Sequence, residues 1–157
     1  VKSGRDIAAR SDMMMSSMMG AIAFQKDLGA VHSCAHALST VIDMHHGLAN
    51  GIMIDHVMRF NLPAATEKMA ELAHVTRAPG GDAGTPEARA KAFVAWLTQL
   101  KASLEIPAKL SDYCVPRRLV KADIPRLVEV ATADICHQTN PRKCTAADFE
   151  KLFASAF

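Results

Sequence analysis

An all-α fold follows from three features of the sequence. Half of the 157 residues are hydrophobic but only 5% are aromatic, and the apolar set is dominated by alanine, methionine and leucine, which favour helix over sheet. Apolar residues recur at helical spacing and no convincing strand can be found. Glycine and proline mark the breaks between the periodic segments. The expectation is a multi-helix bundle, a single helical domain over residues 1–157, long enough to enclose a sizeable core.

The first helix is expected from Arg5 to about Lys26. It is amphipathic at first and then apolar on nearly every side through Met13-Met14-Met15, Met18-Met19 and Ile22, and a helix of that kind is normally enclosed. Core filling accounts for the methionines better than a metal or haem role does. Gly29 breaks the pattern, and Ala30 to about Ile42 forms the second helix. A third runs from Gly47 to Phe60 with Leu48, Ile52, Ile54 and Val57-Met58 inward, and Asn61-Leu62-Pro63 should stop it, because proline removes a donor and restricts the residue before it.

Ala64 to Thr76 then reads as a separate fourth helix with Met69, Leu72 and Val75 inward and His74 at the surface near its C-terminus. Arg77 to Thr85, RAPGGDAGT, is the clearest loop. Thr85 as N-cap and Pro86 in the first position start the next helix, which runs to about Leu104 and should bury Phe93, Trp96-Leu97 and Leu100. Ile106 to Asp123 is irregular. Asp123-Ile124-Pro125 should cap a helix to about Ile135, Cys136 to Cys144 reads as a loop, and Thr145-Ala146-Ala147-Asp148 is a capping box that opens the last helix.

Composition excludes several classes. The formal charge of +2 is spread along the chain without a basic run or aromatic-interleaved patch, so nucleic acid is not an expected partner. The longest apolar run, around Met13 to Phe24, is broken by Ser16-Ser17 and is too short to span a bilayer, so no membrane partner is expected either. Cys34, Cys114, Cys136 and Cys144 show neither CxxC spacing nor disulfide-scaffold density. Cytoplasmic location is the simplest reading, with Cys34, Cys114 and Cys144 expected as small buried hydrophobes.

The chemistry concentrates in GAVHSCAHALSTVIDMHHGLAN, Gly29 to Asn50, where four of the seven histidines fall within fifteen residues. His32 and His36, four apart on a helix, stack their imidazoles on one face. His45 and His46 follow the end of the helical pattern at Asp43, and the turn at Gly47 can return His46 to the first pair. Two imidazoles from a helix and a third from the next turn suit Zn²⁺, Fe²⁺ or Co²⁺. Asp43 is the nearest carboxylate, equally well explained as the N-cap of the following helix. HSCAH lacks the glutamate of HExxH, which argues against a metalloprotease. Residues alone leave a metal site and a set of satisfied polar groups both open.

Gly29-Ala30-Val31-His32, His36 and His46-Gly47-Leu48-Ala49-Asn50 resemble the second metal motif of the iron-containing (group III) alcohol dehydrogenases. Gly4-Arg5-Asp6 through Ala23-Phe24-Gln25-Lys26 is similar to the helix before that motif, and His56 to Asn61 to the end of the helix after it. Cys136-His137-Gln138-Thr139-Asn140-Pro141-Arg142 and the final helix resemble the family C-terminus. The resemblance implies that His32 and His46, fourteen residues apart, are metal ligands. It sets His36 beside nicotinamide and substrate as a proton-relay or orienting residue and brings Cys136 to the cofactor side of the cleft, with His137 a weaker candidate. The FQK triplet, the histidine before His46 and the CH-TNP segment are closest to the 4-hydroxybutyrate-dehydrogenase-like branch. Departures are His45 and Asp55, where many members have proline, and Ser39-Thr40, where many have glycine.

The resemblance also implies parts that these residues do not contain: an upstream aspartate and histidine that complete the metal site, and an N-terminal α/β domain that binds NAD(P). Gly80-Gly81 sits in a polar turn and is not a dinucleotide fingerprint. The chain is thus expected to be the C-terminal part of the helical domain of an NAD(P)-linked dehydrogenase that uses Fe²⁺, with Zn²⁺ as the alternative. It would act on a small alcohol or aldehyde, would belong to a homo-oligomer, and would be inactive alone. The alternative is a helical module that binds metal or partners without catalysis.

Overall fold

The computed structural model describes residues 3–114 and 117–157. Among them are six α-helices and no strand: α1 (Ile7–Phe24), α2 (Ala30–Ile42), α3 (His46–Val75), α4 (Pro86–Ser103), α5 (Ile124–Ala133) and α6 (Ala146–Ser155), with short 3₁₀ turns at Leu110–Asp112, Lys121–Asp123 and Ile135–Thr139. The all-α expectation holds.

Helix α2 is the hub, because it carries small residues on most faces. Ala30, Ser33, Cys34, Ala35, Ala37, Leu38 and Ile42 are all buried, so α3, α5 and the Ile135–Thr139 turn can pack closely around it. Phe149 and Phe153 of α6 and Leu127 of α5 fill the far side of the same cluster. A second, smaller cluster forms between the C-terminal half of α3 and α4 around Met69, Ala73, Ala90 and Phe93.

The caps follow elementary rules. Thr85 Oγ1 accepts from the Ala88 N–H at 3.3 Å, with Pro86 in the first turn of α4. Thr145 and Asp148 form the expected capping box at α6. Two expected caps fail. Asp43 is the left-handed C-cap of α2, at φ 55°, and His45 takes the N-cap of α3, its Nδ1 accepting from the Leu48 N–H at 3.4 Å. Asp123 spends its carboxylate on the Val120 N–H and on Arg117 rather than on α5.

Pro63 does not end the third helix. The chain bends instead, with Ala65 at φ −135°, ψ 24°, and Thr66 Oγ1 donates to the Leu62 carbonyl at 2.7 Å, so a side chain repairs part of the ladder that the bend opens. Past the bend, Met69 is buried at 3% exposure as expected, but Leu72 and Val75 are exposed and Ala70 and Ala73 take the inner face. The Arg77 to Thr85 segment is packed on the end of α3: Ala78 is buried, and a Cβ on Gly81 would come within 2.5 Å of the Ala73 carbonyl.

On α4 Phe93 is buried as expected and Trp96-Leu97 are half-buried, but at the end of the helix the inner position passes from Leu100 to Lys101. Leu100 is 37% exposed whereas Lys101 is 5% exposed. Lys101 Nζ donates to the Ile52 carbonyl at 2.7 Å and is ion-paired to Asp55, itself bonded by Thr98 at 2.9 Å and Arg59 at 2.9 Å. Satisfaction of two buried charges decides which side of α4 faces α3.

Helix α1 overturns the expectation of an enclosed methionine helix. It buries no residue; Met13, Met14, Met15, Met18 and Met19 are 51–72% exposed, and nothing among the described residues covers them. Cys34 is fully buried, but Cys114 is exposed and Cys144 half-buried, which corrects the expectation for Cys114; all four cysteines are free. No helix is long and apolar enough to cross a membrane among the described residues.

Candidate active site

The three histidines of interest converge although they arise from two helices. His32 and His36 stand one turn apart on α2, with ring centres 6.0 Å apart. The Asp43–His45 link reverses the chain so that His46, in the first turn of α3, returns to them. Its ring lies 5.4 Å from His32 and stacks on His36 at 5.2 Å with an interplanar angle of 21°. His45 turns back to cap its own helix, and His137 donates from Nε2 to the Thr132 carbonyl at 3.2 Å and packs edge-on to Phe149. Neither joins the cluster.

His32 and His46 form part of the wall of a cleft of about 710 Å³, together with Phe24, Asn50, Met58 and Asn140. Burial, then the neighbouring His46 and His36, pushes the His32 pKa down, which favours the neutral, metal-ligating imidazole. Asn50 Nδ2 donates to the His46 backbone carbonyl at 3.0 Å and to His46 Nε2 at 3.1 Å. An amide nitrogen has only protons to offer, so the lone pair of His46 Nε2 accepts this bond, and an ion bound there would take the place of the Asn50 amide. Asn50 Oδ1 beside it is buried with no hydrogen-bond partner.

These features fit a divalent cation. Imidazoles bound to one ion at about 2.0–2.1 Å bring their ring centres to roughly 5 Å, close to the His32–His46 separation of 5.4 Å. The two histidines that the resemblance implies as ligands therefore face one another at a separation that one ion could span.

His36 is held from behind. Its Nδ1 lies 2.7 Å from Asp134 Oδ2, and Asp134 Oδ1 accepts from Ser33 Oγ at 2.8 Å and the Cys136 N–H at 2.8 Å. Burial alone would raise the Asp134 pKa; the bonds from His36, Ser33 and Cys136 outweigh it and hold the carboxyl at about 2. The Cys136 thiol is 4.0 Å from His36 Nδ1, and burial and then Asp134 push it up to about 11, so it stays a thiol at neutral pH.

Asp134, Ser33, Asn50 and Asn140 were not singled out in the sequence. Asp134 reads there as the polar end of a helix, and only its position two residues before Cys136 hints at its place. Asn140 Oδ1 accepts the Ala30 N–H at 3.2 Å and so caps the helix that carries His32 and His36. A Cβ on Gly29 would lie 3.1 Å from that oxygen, which is why the motif begins with glycine.

A profile described as the Fe-containing alcohol dehydrogenase family, C-terminal, matches residues 1–157. The chain belongs to this family. It is 36% identical over 155 residues to a 1,3-propanediol dehydrogenase of Klebsiella pneumoniae, covering 98% of this chain and 39% of that protein. Against a 4-hydroxybutyrate dehydrogenase of Cupriavidus necator the identity is 33% over 160 residues, covering 96% and 38%. The solved structure of an alcohol dehydrogenase from Oenococcus oeni superimposes with a TM-score of 0.90 at 29% identity, over 99% of this chain and 39% of that one. The six-helix arrangement is thus the C-terminal helical fold of iron-containing alcohol dehydrogenases, and the chain spans about two fifths of the length of these relatives.

Proposed function

We propose that this chain supplies the metal-binding and proton-handling wall of an NAD(P)-linked alcohol dehydrogenase that interconverts a small alcohol and its aldehyde. The observation that carries the reading is the facing pair His32 and His46, 5.4 Å apart on the wall of the cleft. Family membership supports it. His32 and His46 would hold a divalent ion, Fe²⁺ in the first instance and Zn²⁺ as the alternative, which would supply Lewis-acid polarisation of the substrate oxygen, while NAD(P) would supply the hydride acceptor.

The two side chains would hold the ion through imidazole nitrogens and leave coordination positions for ligands from outside these residues. Phe24 and Met58 give the cleft an apolar wall beside the two histidines. His36, stacked on His46, handles the hydroxyl proton or orients the cofactor. Cys136 adds a neutral thiol on that side and is no nucleophile at pH 7.

Elemental analysis of untagged protein tests the reading. Metal retained by the wild-type chain and lost in both His32→Ala and His46→Ala supports the ligand pair, whereas metal unaffected by either substitution removes it. The pure chain is expected to show no NAD-linked alcohol oxidation, because no dinucleotide fingerprint lies within its sequence; turnover would overturn that division of labour.

A further inference from the structure

We propose that Asp134 is a positioning residue that fixes His36 as its Nδ1–H tautomer, making Nε2 the atom that takes the substrate's proton. The inference rests on the reading of His36 as the proton-handling residue and adds which nitrogen acts and what sets it.

Asp134 is the C-cap of α5, at φ −74° and ψ 135°, where the chain leaves the helix and turns into the Ile135–Thr139 segment. That geometry aims the carboxylate at α2. Ser33 precedes His36 by three residues, so both side chains issue from the same face. Oδ1 receives Ser33 Oγ–H and the Cys136 N–H, each at 2.8 Å, and Oδ2 receives His36 Nδ1 at 2.7 Å. Ser33 is fully buried and the Asp134 side chain is 18% exposed, so the carboxylate is shielded on the α2 side, while the His36 side chain is 37% exposed.

An ionised carboxylate only accepts hydrogen bonds, so the proton in the Asp134–His36 contact belongs to Nδ1. A neutral imidazole carries one N–H, and Nε2 is then a bare lone pair. No described residue hydrogen-bonds to it. In alcohol oxidation Nε2 would take the proton as the substrate O–H bond breaks, and the nicotinamide, when bound, would accept the hydride from the carbon. The imidazolium so formed stays bonded to a carboxylate that remains ionised. A carboxylate that holds a histidine tautomer has the same task in the Ser-His-Asp triad.

His36, Asp134 and Cys136 also lie close enough to hold a metal ion, their ligand atoms within 4.8 Å of one another. The bonding favours the positioning role: both carboxylate oxygens already receive donors, and the thiol beside them carries its proton.

Long-range ¹H–¹⁵N correlation of the metal-free, ¹⁵N-labelled chain, at a pH above the ordinary imidazole range, reads the tautomer, with His36→Gln identifying the signals. The wild type is expected to show a protonated Nδ1 and a bare Nε2. In Asp134→Asn the Cys136 N–H pins the amide oxygen at the Oδ1 position, so the amide NH₂ faces His36 Nδ1 and the signature inverts to Nε2–H. An Nε2–H or mixed signature in the wild type overturns the inference, as does an unchanged signature in a folded Asp134→Asn protein. If that variant fails to fold, the wild-type spectrum decides alone. The readout needs neither metal nor turnover, so its failure is distinct from failure of the metal-site reading.

Discussion

Asn61 and Asn140 exchange amide hydrogen bonds, Asn140 Nδ2 to Asn61 Oδ1 at 2.7 Å and Asn61 Nδ2 to Asn140 Oδ1 at 3.1 Å. Because Asn140 Oδ1 also accepts the Ala30 N–H, this pair ties the middle of α3 to the start of the helix that bears His32 and His36. Arg142 reinforces it, donating to the Phe60 carbonyl at 2.9 Å with its guanidinium 4.0 Å above the Phe60 ring.

Asn140→Ala leaves the Ala30 N–H and the buried Asn61 amide short of partners and should cost about 1–3 kcal/mol in urea unfolding. Asn61→Ala should be similar, and the double variant less than additive, with a coupling on the order of 0.5–3 kcal/mol. Strict additivity would show that the two amides act independently.

Lys101→Met removes the buried cation beside Asp55 but leaves the bonds from Arg59 and Thr98, and should destabilise the fold by about 1–3 kcal/mol, more than Leu100→Ala at the exposed neighbouring position. Burial alone would raise the Asp55 pKa, but bonds from Lys101 and Thr98 leave it lowered. Its stabilisation is therefore present above the unfolded carboxylate value of about 3.9 and is lost as pH falls through the lower folded value. Asp55→Asn should remove that acid dependence in a pH series of unfolding curves.

Burial of His56 lowers its pKa, with Asp55 opposing and Lys101 and Arg59 adding to the shift. The unfolded chain then binds the proton more readily, so stability is full above about pH 6.5 and falls as the pH drops through the folded value. Urea midpoints measured between pH 7.5 and 5.5 should decline for the wild type and decline less for His56→Gln.

His45→Pro should be tolerated. His45 has φ −54°, close to the value proline imposes, and the substitution forfeits only the long Leu48 cap bond. We expect a stability change within about 1 kcal/mol and unchanged metal content; metal loss would make His45 a ligand and undermine the assignment to His46.

Local signals carried the sequence reading as far as they could. Thr85-Pro86, the Thr145 capping box and the Gly29 break are decided by neighbouring residues and were legible. The family motif grouped His32, His36, His46 and Cys136, and these four lie near one another in the fold. What escaped depends on partners distant in sequence: Asp134 matters because Ser33 and His36 arrive from about a hundred residues away, and Lys101 displaces Leu100 from the interface because Asp55 stands opposite. Pro63 misled because the stop rule ignores a bend that Thr66 helps to satisfy. The methionines of α1 announce an apolar helix, but hydropathy cannot say what covers it.

The bend at Ala65 divides one helix between two apolar clusters, the first half of α3 sharing the α2 core and the second half pairing with α4. In hydrogen-exchange terms, α3 should therefore not open as a single rod. Amides from Ala49 to Val57 should share the slow exchange of the hub, to which Lys101 ties the end of α4, while those from Met69 to Ala73 open together with the first half of α4, so the histidine site can persist while the hairpin beyond the bend transiently unfolds.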